Sequence, residues 1–407
     1  MTELQVAILL LDVALIVLVA RLVGRLARAL GQPPVIGEIV AGILLGPTLF
    51  HGAVSGTLFP MVVRPHLSTL ASVGLVLFMF VVGLEFDFSR LRGSGRGAAG
   101  ATAIGATVVP LGLGVLLALY LADRHQPANR LGFVLFMAVA VSITAFPVLA
   151  RILTDRGMSR TLIGTIALSA AAVCDLVAWT LLAVVQAIVG GGTQHQWLIL
   201  LVIPFALLLF GVVRPGLRRL AARTGPRSAG RIAIVLVGLL ISAAVTQMVG
   251  LHFVFGAFLF GLAVPRSDDV FREELRHRTE AATMLLLPVY FIVAGLNVDL
   301  SRVDVDAVVD FVLIMVTAVA GKFGGTFLAA RTQGLSGRQS AELATLMNTR
   351  GLTELIALSV GLQIGVLDGG LYSLMVVMAV VTTAMCGPML QMLSRESRAK
   401  ELSFIPG

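Results

Sequence analysis

The chain has 407 residues, 57% of them apolar and only 13% charged, with a mean hydropathy of +0.98. Soluble domains carry about twice that charged fraction, so the composition excludes a soluble enzyme or binding module and indicates an all-α polytopic membrane protein. The net charge of +8 does not signal nucleic acid, because the basic residues gather in short loops between apolar runs.

Thirteen apolar runs are predicted as transmembrane helices: about 5–24, 35–50, 67–86, 98–121, 131–153, 161–189, 196–212, 231–248, 250–265, 281–298, 307–330, 341–363 and 369–393. The first lacks a small-residue cleavage site and reads as a retained span, with no signal peptide removed. Its Asp12 reads as a scaffold or dimer contact. The second opens with PPVIGEIVAGILLGP, in which Glu38 is assigned to packing near the membrane face.

The third run ends in FVVGLEFDFSRL (80–91), and the tenth in IVAGLNVDLSRV (292–303), the same pattern at an offset of 212. Gly37 and Gly42 are echoed more weakly by Gly256 and Gly261. Spans seven apart run in opposite directions, so the repeat is inverted, and inverted repeats place a substrate site near the midplane at interrupted helices. The fifth run, VSITAFPVLA, carries Pro147 with Ser142 and Thr144 just before it. Its counterpart, the twelfth, holds Asn348, Thr349, Gly351 and Thr353. Two crossed broken helices are predicted there, offering hydroxyls, freed carbonyls and helix ends to a cation.

Charged residues inside the runs are few. Asp175 lies in ALSAAAVCDLVAWTLLA, where a carboxylate costs about 2.5–3.5 kcal/mol on insertion scales. The other intramembrane acids are Asp12, Glu38 and Glu354, with Asp310 near a span end, and the intramembrane cations are Lys322, in VAGKFGGTF, and Arg350, in NTRGLTEL. Arg350 and Glu354 are four apart, so an intrahelical pair is available, and it is assigned to bracing the broken helix. The glycines around Lys322 are assigned to close helix packing. Cys174 and Cys386 both lie in apolar runs and suggest no disulfide. With the N-terminus outside and the C-terminus cytoplasmic, twenty-four of the 30 basic residues fall in inside loops or the tail. Arg64, Arg124, Arg130 and Arg302 fall outside, and Lys322 and Arg350 lie within spans, an asymmetry that supports the orientation.

Taken in order, PPVIGEIVAGILLGP, GLVLFMFVVGLEFD, AAVCDLVAW, PVYFIVAGLNVDL, MNTRGLTELIALSVG and VTTAMCGPML resemble the monovalent cation:proton antiporter-2 family, in its Kef-type and plant cation/H+ exchanger branch. The resemblance implies one antiporter domain over 1–407, with scaffold helices at about 1–90 and 194–300 and core helices at about 97–190 and 305–395. It also implies a homodimer in a bacterial plasma membrane, Na+ or K+ and H+ as partners, and no cofactor, enzymatic chemistry or resident metal. Asp175 matches the family's cation- and proton-binding aspartate, and Ser142, Thr144 and Thr349 match the crossover. Cys174 stands where relatives place Asp, Asn or Gln, so the resemblance implies a single acid and electroneutral exchange. Lys322 matches a buried basic residue that pairs with the missing acid, leaving it to pair with Asp175 or to be neutral. No cytosolic nucleotide-binding domain is expected after the last span. Two other readings stay open, export of an organic compound such as an antibiotic, and a membrane enzyme on this scaffold using Asp175 as acid or base.

Overall fold

The computed structural model describes residues 2–49, 52–85, 96–159, 161–189, 201–223, 229–249, 252–266, 268–301 and 304–402. Its helices in chain order are α1 (Glu3–Ala29), α2 (Pro34–Leu45), α3 (Ala53–Leu58), α4 (Arg64–Glu85), α5 (Arg96–His125), α6 (Arg130–Ser142), α7 (Phe146–Asp155), α8 (Leu162–Val189) and α9 (Val202–Leu208). A π-helical turn, Leu209–Val213, joins α9 to α10 (Arg214–Arg223). There follow α11 (Ala229–Met248), α12 (Phe253–Ala263), α13 (Asp269–Leu296), α14 (Val305–Thr332), α15 (Gly337–Met347), α16 (Leu352–Gln363) and α17 (Gly369–Leu402). Among the described residues, nine helical stretches are long and apolar enough to cross a membrane. The shorter apolar helices α2, α12 and α16 occupy the second, the ninth and the latter part of the twelfth predicted spans. The seventh, 196–212, begins outside the described residues. So do parts of both copies of the repeat, 86–91 and 302–303.

Local chemistry explains the helix ends. The Asn129 side chain accepts from Gly132 N–H at 2.8 Å and starts α6. Asp304 caps α14 in the same way, through Ala307. Ser336 and Gln339 form a reciprocal capping box at the head of α15. Each satisfies amides that the first turn of a helix leaves without intrahelical partners. Pro147 sits in the first turn of α7, where its missing N–H costs nothing, so it begins a new helix and cannot continue α6.

Two compact units are formed. One comprises residues 1–20, 53–87 and 183–293. In it α12 packs on α4 and on α11, and Phe80 meets Phe260 at 6.2 Å between ring centroids. Arg231 donates to Asp268 at 2.7 Å and lies over the Phe271 ring, 3.4 Å from its centroid.

The other unit comprises residues 21–52, 88–182 and 294–407 and contains every candidate site residue. Here α14 packs on α5, α15 and α17, and α5 packs on α6. Gly321 lies against Pro110, and Gly325 faces the backbone of Gly105, with no room for a side chain at either glycine. The small residues around Lys322 thus let α14 and α5 approach backbone to backbone.

Candidate functional site

The site is built on two interruptions that touch. Between α6 and α7 the chain is extended at Ile143–Ala145, and between α15 and α16 it breaks at Asn348–Gly351. The amide of Ala145 donates to Thr349 O at 3.0 Å, and the Thr144 hydroxyl donates to Met347 O at 3.2 Å. Gly351 turns the second break with φ +144°, a region that side-chain-bearing residues rarely adopt. Thr383 of α17 holds the same break from the side. Its hydroxyl accepts from Arg350 N–H at 3.0 Å and donates to Arg350 O at 2.7 Å.

Breaking a helix leaves its last four carbonyls without intrahelical donors and exposes the negative end of its dipole. All four at the end of α6 are satisfied. Val139 O takes the Ser142 hydroxyl at 2.8 Å. Ala140 O and Val141 O take the Arg350 guanidinium at 3.2 and 2.6 Å. Ser142 O takes the Lys322 ammonium, which also donates to Ala106 O at 2.8 Å. The two buried cations thus converge on one helix terminus. Arg350 is in turn paired with Glu354 at 3.0 Å, both side chains fully buried. Among the described residues Lys322 forms no ion pair with Asp175 or any other acid. Backbone carbonyls hold its ammonium instead.

Asp175, in α8, is 3% exposed, and neither carboxylate oxygen has a hydrogen-bond partner among the described residues. The Phe146 amide in the first turn of α7 faces it without reaching bonding geometry. A buried carboxylate in this state is satisfied by a proton or by a cation. Its neighbour Cys174 is 2% exposed. Thr107 donates to the thiol at 3.4 Å, and the thiol reaches Ala103 O at 3.8 Å. Thr349 donates to the Cys386 sulfur at 3.5 Å.

The predicted residues therefore fall into two sets. Ser142, Thr144, Lys322, Thr349, Arg350 and Glu354 are joined by hydrogen bonds around the two breaks, while Asp175 with Cys174 lies on α8. The hydroxyls of Ser142, Thr144 and Thr349 all donate to protein atoms, which leaves their lone pairs as the groups open to a cation.

The sodium/hydrogen exchanger transmembrane profile matches residues 14–396. The chain belongs to this family. It is 38% identical to Cation/H(+) antiporter 20 of Arabidopsis thaliana over 96% of its length, and 34% identical to Na(+)/H(+) antiporter NhaS4 of Synechocystis over 94%. K(+)/H(+) antiporter 1 of Saccharomyces cerevisiae is 32% identical over 95%. The chain spans about half the length of the plant and yeast relatives and 96% of the cyanobacterial one. The sodium proton antiporter MjNhaP1 of Methanocaldococcus jannaschii superposes with a TM-score of 0.71 at 12% identity, covering 96% of this chain and 97% of that one. That likeness is one of fold.

Within this exchanger-family fold, sequence reasoning passed over Thr383, Thr107 and Asn348 as site residues. Asn348 is 3% exposed, and its Oδ1 accepts no hydrogen bond among the described residues. It adds an unsatisfied acceptor at the second break. The signal for Asn348 was present in the polar NTRG stretch. Thr383 and Thr107 carried none, since a threonine in a membrane helix ordinarily bonds its own backbone.

Proposed function

We propose that the protein exchanges a monovalent cation, Na+ or K+, for H+, one proton per cation, by alternating access with both ions competing for Asp175. The observation that carries this is the Asp175 carboxylate, buried with both oxygens unpartnered in the unit that holds the two touching helix breaks. A proton or a partly dehydrated cation neutralises it, and the two exclude each other. Moving the empty, charged carboxylate costs about 2.5–3.5 kcal/mol, which discourages uncoupled return and makes exchange obligatory. Hydroxyls of Ser142, Thr144 and Thr349 supply neutral oxygens, and Cys174 contributes no second negative charge.

Relatives named as Na+/H+ and K+/H+ antiporters support the reaction class. The basic loops support an N-terminus outside and a cytoplasmic C-terminus. The matched segments ending in GLEFD and GLNVD support two inverted halves.

The test is a proteoliposome assay with an acid-inside gradient and a pH-sensitive dye. Na+, K+, Li+ or choline is added in turn to wild type and to Asp175→Asn. The expected result is dequenching by one or more alkali cations and none by choline, lost in the variant. No cation response between about pH 6 and 9, with folded protein in the membrane, would overturn the reading.

A further inference from the structure

A cavity of about 610 Å³ opens within the unit that holds the breaks. It is lined by Arg28 at the end of α1, Gln32 in the α1–α2 connection, Arg151 and Arg156 on and just after α7, and Thr383 and Gly387 of α17. Three guanidiniums and no carboxylate line it among the described residues. This repels a cation, so the cavity is not a route for Na+ or K+, and it attracts an anion. Guanidinium forks match phosphate oxygens in particular.

Two details show a shaped recess. At Gly387, an added Cβ would lie 3.3 Å from Arg156 Nη2, 3.4 Å from Gly31 O and 3.9 Å from Gln32 Nε2. These three groups meet around Gly387, and Arg156 donates to Gly387 O at 3.1 Å. The Gln32 amide is oriented by its donation to Ala384 O at 3.1 Å, while its Oε1 is buried and accepts no hydrogen bond among the described residues. A buried acceptor left open beside three guanidiniums calls for a ligand that carries a donor as well as negative oxygens. The volume falls in the range of small-molecule sites and exceeds what a bare phosphate fills.

We propose that this cavity binds an organic phosphate whose scaffold bears a hydroxyl, with Arg28, Arg151 and Arg156 holding the phosphate and Gln32 accepting from the hydroxyl. Glycerol phosphate has this chemistry, either free or as the headgroup of a glycerol-bearing anionic lipid. The ligand ties α7, the second half of one broken helix, to α17, whose Thr383 both lines the cavity and brackets Arg350. Occupancy therefore bears on the crossing without touching Asp175.

Binding is measured on the purified full chain by native mass spectrometry and thermal shift, with sn-glycerol 3-phosphate in detergent and with phosphatidylglycerol in phosphatidylcholine nanodiscs. Potassium chloride at equal ionic strength is the control. Saturable binding of the soluble phosphate assigns a free metabolite. Binding of phosphatidylglycerol alone assigns a lipid headgroup. In either case Arg151→Gln with Arg156→Gln is expected to weaken binding at least tenfold. Arg28→Gln, at the third guanidinium, is expected to weaken it several-fold, and Arg218→Gln on α10 is expected to leave it unchanged. Absence of saturable binding by both probes overturns the proposal. So does binding that Arg218→Gln weakens as much as the cavity variants, or that Arg151→Gln with Arg156→Gln leaves intact. None of these readouts depends on cation exchange.

Discussion

Replacing Arg350 with methionine tests whether this residue is a brace of the crossing. The substitution removes the donor to Val141 O, one of two donors to Ala140 O, and the partner of Glu354, which is fully buried. Ala140 O keeps a bond from Ile143 N–H at 3.3 Å. Breaking a buried pair costs about 3–5 kcal/mol and an orphaned carbonyl about 1–3, so a loss of about 4–8 kcal/mol is expected. At an unfolding entropy of about 2.1 cal/mol/K per residue, 407 residues translate this into a Tm lowered by about 5–9 °C. The shift is larger where helices persist in the micelle, since less entropy is then gained. Adding Glu354→Gln removes the stranded charge and is expected to return about 2–4 kcal/mol, leaving the Val141 carbonyl as the residual deficit. The assay is thermal unfolding in detergent, followed by fluorescence-detected size exclusion. Arg338→Gln is the control, because its pair with Glu342 is partly exposed and worth under about 1 kcal/mol. An Arg350→Met Tm within 1 °C of wild type, or a double variant whose loss equals the sum of the two singles, would refute the brace.

Three further outcomes follow from the same geometry. Asp175→Asn is expected to match or exceed wild-type Tm while losing exchange, because it removes a buried carboxylate without a hydrogen-bond partner among the described residues; a variant that loses Tm assigns Asp175 a structural part. Gly351→Ala must hold φ near +144° with its Cβ 3.0 Å from Val148 Cγ2, at a cost of about 1–3 kcal/mol. An unchanged Tm would show that the second break is not strained. Partial burial opposes ionisation of Asp268, but bonds from Arg231 and from Phe271 N–H outweigh it and hold the carboxyl below its usual range. A depressed carboxylate contributes stability above its unfolded pKa of about 3.9 and loses it as pH falls through the lower folded value. The Tm gap between wild type and Asp268→Asn is therefore expected to stay constant from pH 7 to about 5 and to close below about 4. A gap that persists at pH 3 would mean that Asp268 acts through packing alone.

Much of this protein is legible along the chain. Hydropathy locates the spans, because a backbone in lipid must satisfy itself as helix. Pro147 and the NTRG stretch mark the two breaks, because proline and glycine act on their own backbone. Asp175, Lys322, Arg350 and Glu354 stand out because charge in a span is rare. The i,i+4 pair of Arg350 and Glu354 was readable too, since helix geometry alone brings those side chains together.

The tertiary structure decided where the cations point. Lys322 meets Ser142 O and Arg350 meets Val141 O across separations of 180 and 209 residues. The acceptors are main-chain carbonyls, which every residue carries, so no side-chain pattern could name them. They became acceptors because α6 stops at Ser142, and they were reached because α14 and the second break pack beside that end. The arginine-lined cavity is of the same kind. Arg28, Arg151 and Arg156 read along the chain as cytoplasmic loop charge, and only the packing of α1, α7 and α17 brings them to one cavity. The sequence by itself determined which charges enter the membrane and where its helices break; packing alone determined what those charges hold, because a hydrogen bond depends on distance in space and not on separation along the chain.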